Sequence, residues 1–196
     1  MKKNAYVGIS FILLVFGILF VPKIVDRIQH QDWVSSDRLS ISKEEMVYIN
    51  LNGENKKVPD FVLTNQDSLL ISNEDYFGKV HLVEFFFTSC PTICPQMNVN
   101  MKKIEAVFGH RDDFGIASIT IDPKTDTPMQ LKTYAESYEV FSPNWHFLTG
   151  EQSDIYDLAN RGFNIFAGIN PDVAGGFKHQ GYFALVDQEG FIRSRS

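Results

Sequence analysis

Residues 80–109 read VHLVEFFFTSCPTICPQMNVNMKKIEAVFG and predict a buried strand followed by a helix. Residues 80–87 are almost all apolar, β-branched or aromatic, which is typical of a strand covered on both faces of a parallel sheet. After Pro95 the apolar residues recur at helical spacing until Gly109, which ends the pattern. The segment therefore predicts one strand-to-helix unit.

The two cysteines of the chain, Cys90 and Cys94, lie where this strand meets this helix. Unpaired backbone N–H groups and the helix dipole favour a thiolate at a helix N-terminus, so we expect lowered thiol pKa values. In a helix, this spacing places the two Cβ atoms about 5 to 6 Å apart, so the pair could form a disulfide bond or share one soft metal ion. A structural disulfide closing so short a loop would add little stability. A redox or metal-binding role is therefore favoured over a structural one.

Strands and helices alternate through the rest of the folded region. The predicted strands are 80–87, 114–121, 145–148, 181–187 and 190–195, and the predicted helices are 96–108, 128–139 and 151–160. The second helix has a clear start signal in Thr127 and Pro128, and the third repeats a capping box from Thr149 to Gln152. The alternation predicts an α/β fold with a central, largely parallel sheet.

The N-terminal part of the chain predicts a membrane anchor. Residues 5–21 carry no charge and are almost all large and apolar, near the short end of the range for a spanning helix. Lys2 and Lys3 precede this segment, and such a short tail normally stays in the cytoplasm, which puts the remainder on the periplasmic side. A cleaved signal peptide is the alternative, but no small-residue cleavage site follows.

Composition and order divide the chain into three parts. We assign 1–25 to the anchor, 26–57 to a polar spacer and domain entry, and 58–196 to the folded domain. The net charge of −6 and the pI near 5.3 argue against a nucleic-acid partner. On the oxidising side of a membrane, a lone cysteine pair tends to close unless a reductant or a metal intervenes. Its chemistry therefore needs a partner.

A distant histidine is the candidate third ligand. His179 lies in the loop 175–181, immediately before a predicted strand, and loops at strand ends often carry ligands. Neutral imidazole with two thiolates makes a soft site that suits Cu(I), although a loop histidine is more often simply solvated. Asp122 and Asp126, in the loop before the second helix, are assigned to turn formation.

Four segments in order resemble the Sco/SenC family of copper-binding assembly factors for cytochrome c oxidase. The similarity covers about residues 59–193. The matching segments are CPTICP at 90–95, DPKTDTP at 122–128, WHFLTG at 145–150, and His179 ahead of FALVDQEG at 183–190. The cysteine loop departs from the family pattern in containing Thr92 and Ile93.

The resemblance implies a thioredoxin-like domain with a central mixed sheet flanked by helices, preceded by one N-terminal transmembrane helix. It implies copper, as Cu(I) or Cu(II), bound by Cys90, Cys94 and His179. The expected function is that of a membrane-anchored copper chaperone for the dinuclear copper site of cytochrome c oxidase subunit II. A periplasmic copper donor or thiol reductant would be a further partner.

An extracytoplasmic thiol-disulfide oxidoreductase is the alternative function, with Cys90 and Cys94 as its redox pair. Whether the chain is an enzyme depends on this alternative. Reductases of the thioredoxin type usually have a two-residue spacer and a cis-proline before the penultimate strand. Here the spacer has three residues and a histidine stands in place of that proline, which favours metal binding, although both activities can coexist. A thiol peroxidase ranks last because no arginine lies in the strand or motif.

Overall fold

The computed structural model describes residues 48–51 and 54–195, together with Phe16 and Val21. The chain divides into two units, Met1–Glu45 and Met46–Ser196, and all elements named below belong to the second. Apart from Phe16 and Val21, the predicted anchor lies outside the described residues, as does most of the predicted spacer. No helix in the described part of the chain is both long enough and apolar enough to span a membrane.

The second unit alternates strands with helices, as the sequence predicts. Its strands are β1 (Asn50–Leu51), β2 (Glu54–Asn55), β3 (Val62–Asn65), β4 (Leu70–Ser72), β5 (Val80–Phe86), β6 (Phe114–Thr120), β7 (Trp145–Thr149), β8 (Ala167–Ile169), β9 (Phe177–His179), β10 (Phe183–Val186) and β11 (Ile192–Arg195). Its helices are α1 (Asn73–Tyr76), α2 (Cys94–Phe108), α3 (Pro128–Ser137) and α4 (Gln152–Asp157), and α4 continues into a π-helical turn, Leu158–Phe163.

The central sheet has seven strands in the order β11-β10-β5-β6-β7-β3-β4. Only the pairs β5–β6 and β6–β7 are parallel, and the other four pairs are antiparallel. The mixed sheet flanked by helices is thus confirmed, while the expectation of a largely parallel sheet is wrong. Chain connectivity accounts for two of these four pairs, because the short links β3–β4 and β10–β11 can join only antiparallel neighbours.

Strand β5 lies at the centre of the core and is covered on both faces. Phe85 packs edge-on against Phe163, with ring centroids 5.7 Å apart, while Phe86 contacts Phe147 at 5.7 Å on the other face. Both β5 phenylalanines have no exposed surface. The apolar run identified in the sequence is therefore a strand that carries the core and ends at the cysteines.

Of the two predicted helix start signals, one is confirmed and the other is wrong. Thr127 caps α3 as predicted, because its side chain accepts a hydrogen bond from the Gln130 amide and Pro128 follows it. The predicted capping box at Thr149 is wrong, since Thr149 is the last residue of β7 and its side chain is buried in the sheet. Glu151 instead precedes α4, without a side-chain cap.

Strand β5 carries an ionisable side chain inside this core. Glu84 in β5 is fully buried, and its Oε1 accepts a hydrogen bond of 2.6 Å from the Ser118 hydroxyl. Ser118 in turn accepts a hydrogen bond from the Trp145 indole, and Glu84 Oε2 has no partner among the described residues. Burial raises the pKa of the Glu84 carboxyl to about 7, against an ordinary value of 4.5, although the Ser118 bond opposes the shift.

We therefore expect Glu84 to make stability depend on pH. A carboxyl group whose pKa rises on folding contributes fully below pH 4.5, and the contribution is lost as the pH rises through about 7. Relative to Glu84→Gln, the wild-type free energy of unfolding should fall by roughly 3 kcal/mol between pH 4.5 and pH 8 in urea titrations of the full chain. Glu136→Gln, which alters an exposed carboxyl, is the matched control. Parallel pH curves for wild type and Glu84→Gln would contradict the assignment.

Candidate metal centre

The two cysteines lie in the turn that joins β5 to α2. The Cys90 amide donates a hydrogen bond to the Phe87 carbonyl, and Cys94 is the first residue of α2, directly before Pro95. The two cysteines do not form a disulfide bond, and Cys90 is 7% exposed whereas Cys94 is 0% exposed. The predicted position of the pair at a helix N-terminus is correct. Cys90 alone of the two reaches the surface.

The two thiols differ in acidity. Burial raises the pKa of the Cys90 thiol, but hydrogen bonds from Cys94, from the Thr92 backbone and from the Thr92 side chain outweigh burial and bring it below its ordinary value. The Thr92 hydroxyl lies 3.6 Å from Cys90 Sγ. The threonine that departs from the family pattern therefore forms a hydrogen bond with the Cys90 thiol.

The expectation of a lowered pKa is wrong for Cys94. Burial raises the pKa of the Cys94 thiol well above its ordinary value, and the hydrogen bond to Cys90 raises it further, although the Phe87 backbone opposes the shift. The negative charge of the nearby Glu84 carboxylate would act in the same direction. Desolvation at the first residue of the helix thus exceeds the stabilisation that the helix end provides.

A buried carboxyl group holds the cysteine turn in place. Asp126 has no exposed surface and accepts hydrogen bonds from the Thr88 amide at 3.0 Å, from the Thr88 hydroxyl and from the Thr120 hydroxyl. Thr88 precedes Cys90 by two residues, and Thr120 ends the neighbouring strand β6. Asp126 therefore joins the ends of β5 and β6 where the chain enters the cysteine turn.

The assignment of Asp126 to turn formation alone is incomplete. The Thr125 and Asp126 amides do bond to the Asp122 carbonyl, so the turn exists. Burial raises the pKa of the Asp126 carboxyl, while the bonds from Thr120 and Thr88 lower it. Asp126 is visible in the sequence segment DPKTDTP, but only the folded structure shows that its side chain points at the cysteine turn.

Hydrogen bonds from a buried asparagine also fix the first turn of α2. The buried Asn98 side chain donates hydrogen bonds to the Cys94 carbonyl at 3.1 Å and to the Tyr134 hydroxyl at 2.7 Å. Tyr134 belongs to α3, so this bridge ties the two helices together under the buried thiol. Sequence reasoning missed Asn98 and Glu84, although each is a polar residue at a position where the periodicity predicts a buried side chain.

The segment that contains His179 forms a hairpin instead of a loop. Strands β8 and β9 pair antiparallel, with Ala167 opposite His179, and the Gln180 amide bonds to the Phe166 carbonyl. For His179 the structure describes the backbone alone. Sequence patterns do not predict a strand here, because β9 has three residues and follows two glycines with positive φ, Gly175 and Gly176.

This hairpin packs against the cysteine turn on both sides of His179. A Cβ atom at Gly175 would lie 2.8 Å from Phe87 and 3.3 Å from Pro91, and one at Gly181 would overlap Ile93. The rings of Phe87 and Phe177 have centroids 5.3 Å apart. At Gly175, which also has a positive φ, glycine is thus required by the close approach of the hairpin backbone to the turn.

A cleft of about 280 Å³ lies between the turn and the hairpin. Its lining includes Cys90, Thr92, Phe177 and Lys178, the residue before His179. The structure therefore brings the His179 backbone to the cleft that exposes Cys90. Among residues with described side chains, no group of three histidines, cysteines or acids could hold a metal ion. Because His179 is not among them, its place in the ligand set stays a prediction.

Comparison with known proteins places these features in context. The SCO1/SenC family model matches residues 50–195. The SCO1 protein homolog of Bacillus subtilis (strain 168) is 38% identical over 140 residues, which cover 70% of this chain and 72% of the relative.

Two solved structures are also similar to this chain. BsSco, described as a member of the Sco family of cytochrome c oxidase assembly proteins with a disulfide switch, is 34% identical and covers 76% of this chain and 87% of its own, with a TM-score of 0.63. Copper-bound ScoI of Bradyrhizobium japonicum is 26% identical to this chain. The match covers 71% of this chain and 88% of ScoI, with a TM-score of 0.62.

The unequal burial of the two thiols predicts unequal reactivity. At pH 7 we expect iodoacetamide to modify Cys90 at least about tenfold faster than Cys94, because Cys90 lines the cleft and has the lower pKa. Peptide mass spectrometry of the reduced full chain, quenched at increasing times, gives both rates. Equal rates, or faster modification of Cys94, would contradict the geometry described above.

Proposed function

The chain belongs to the SCO1/SenC family, and we propose that it is a copper-binding assembly factor for cytochrome c oxidase, with Cys90, Cys94 and His179 as its copper ligands. The observation that carries the proposal is the juxtaposition of two cysteines in one turn with the hairpin of His179. Copper is the cargo of such a protein. The copper-bound relative supports this choice of metal.

The donor set fits Cu(I). Thiolate and imidazole are the ligands that soft Cu(I) prefers. Two thiolates neutralise the positive charge of Cu(I) and leave the site with one net negative charge. Cys90 lines a cleft at the surface, so the thiols of a partner can approach it before they reach Cys94. Exchange of one ligand at a time then moves copper between proteins without releasing it. The proposed acceptor is the dinuclear copper site of oxidase subunit II, and a periplasmic copper donor would load the chain.

The location proposed for this chemistry is the periplasmic face of a membrane. Residues 5–21 are uncharged and apolar, and Lys2 and Lys3 precede them. A segment of that length can anchor the chain with its short tail in the cytoplasm. The folded unit would then work in an oxidising compartment, where copper or a thiol reductant keeps the two cysteines from closing into an idle disulfide.

Thiol-disulfide exchange is the second candidate function, and the inequality of the two thiols favours it. The Cys90 thiolate would attack a partner disulfide and release one partner thiolate, which takes up a proton. Cys94, after losing its proton, would then attack the mixed disulfide, so that a Cys90–Cys94 bond forms and the second partner thiolate leaves. The partner gains two electrons, and a separate thiol reductant must restore the pair. The disulfide switch described for BsSco is consistent with such a cycle.

Competitive Cu(I) titration under a reductant separates the two functions. Relative to the wild-type full chain, His179→Ala should weaken Cu(I) binding at least about tenfold, and Cys94→Ser should weaken it further, because each removes one ligand. His110→Ala, which changes an exposed histidine outside the site, is the matched control.

Insulin reduction by the same variants completes the test. A copper chaperone depends on His179 for binding, whereas a reductase depends on both cysteines and is indifferent to His179. Wild-type Cu(I) affinity in His179→Ala would exclude the proposed ligand set.

A further inference from the structure

A cavity of about 430 Å³ lies at the other end of β5 from the cysteines, and we call it the Tyr76 cavity. Tyr76 and His81 line it, and both are buried. His81 is near the start of β5 and Phe86 ends it, so ~17 Å of strand separates the cavity from the cysteine turn. Its volume lies within the range of small-ligand sites, and it shares no lining residue with the cleft at Cys90.

Aromatic rings form much of the Tyr76 cavity. Tyr76 and His81 stack with ring centroids 4.6 Å apart, and Phe61 lies 6.5 Å from Tyr76. The Phe77 ring also lines the cavity and is 74% exposed, so a ligand can contact it. The faces of aromatic rings carry partial negative charge and attract cations.

Carboxylates surround the same cavity. Asp60, Glu74 and Glu189 all line it and are exposed, and none of them forms an ion pair within the described part of the chain. Lys57 is the one cation among the described lining residues, and its Nζ lies 5.9 Å from the centroid of Phe191. His81 adds no opposing charge near neutral pH, since burial lowers its pKa to about 4.

We propose that the Tyr76 cavity binds an alkylguanidinium group. A flat guanidinium can lie against an aromatic ring while its edges donate paired hydrogen bonds to carboxylates. Its alkyl chain suits the apolar wall that Val58 and Phe61 provide. Three carboxylates against one lysine exclude an anionic ligand, and the surplus negative charge selects a cation over a neutral molecule of equal shape.

Two n-butyl probes of equal shape test the charge requirement. n-Butylguanidinium and n-butylurea differ mainly in charge, and the full chain labelled with ¹³C-histidine reports binding through the His81 ring signals. We expect saturable shifts of His81 with n-butylguanidinium and at least tenfold weaker binding of n-butylurea. An absence of His81 shifts, or equal responses to both probes, would overturn the proposal.

Matched variants separate a built site from general surface electrostatics. Phe77→Ala and Glu74→Gln each change an exposed lining residue, and each should weaken n-butylguanidinium binding at least threefold. Asp112→Asn and Leu70→Ala, exposed residues outside the cavity, should leave it unchanged. Unchanged urea midpoints of unfolding verify that each variant is folded. An equal loss in Asp112→Asn and Glu74→Gln would contradict the proposed site.

The same group can come from the arginine side chain of a polypeptide or from a free small molecule. A blocked Gly-Arg-Gly peptide, titrated beside n-butylguanidinium, distinguishes these sources. Binding of both probes would support the proposal with a polypeptide partner. Binding of n-butylguanidinium alone would support it with a small-molecule ligand, and binding of neither would overturn it.

Discussion

The candidate site depends on one constraint: the buried Asp126 carboxyl accepts hydrogen bonds from residues at the ends of two strands. Its oxygens bind Thr88 after β5 and Thr120 at the end of β6, so the backbone that enters the cysteine turn has a fixed origin. Asn98 fixes the exit of that turn by bonding to the Cys94 carbonyl. The thiols therefore lie in a short segment that is held at both ends by buried hydrogen bonds. Such bonds are strong where water is excluded.

This constraint explains why the two cysteines differ in exposure and in acidity. The turn leaves Cys90 at the rim of a cleft and places Cys94 in the core, although only three residues separate them. Burial and hydrogen bonding then shift their pKa values in opposite directions. A partner meets one thiol that is ready to react or to bind, and a second thiol that becomes available only when its proton leaves. Both stepwise copper exchange and stepwise disulfide exchange are suited by that order.

Sequence patterns sufficed for the elements that local rules determine. The apolar run of β5, the helix after Pro95 and the cap at Thr127 are all visible in single segments. The capping pattern at Thr149 led to a wrong prediction because Thr149 belongs to strand β7. Its pairing with a neighbouring strand prevails over the local helix signal. The hairpin of His179 is held by contacts between residues 84 to 88 positions apart in the chain, which no local pattern encodes. A polar residue at a position where the pattern predicts a buried side chain, as at Glu84 and Asn98, was the available signal for these buried polar groups.

X-ray absorption at the copper edge of the Cu(I)-loaded full chain tests the central claim most directly. The ligand set of two sulfurs from Cys90 and Cys94 with one nitrogen from His179 predicts a first shell of that composition. His179→Ala should lose the nitrogen scatterer, while the exposed-histidine variant His110→Ala keeps it. A first shell of sulfur alone in the wild type, or a nitrogen that persists in His179→Ala, would contradict the account.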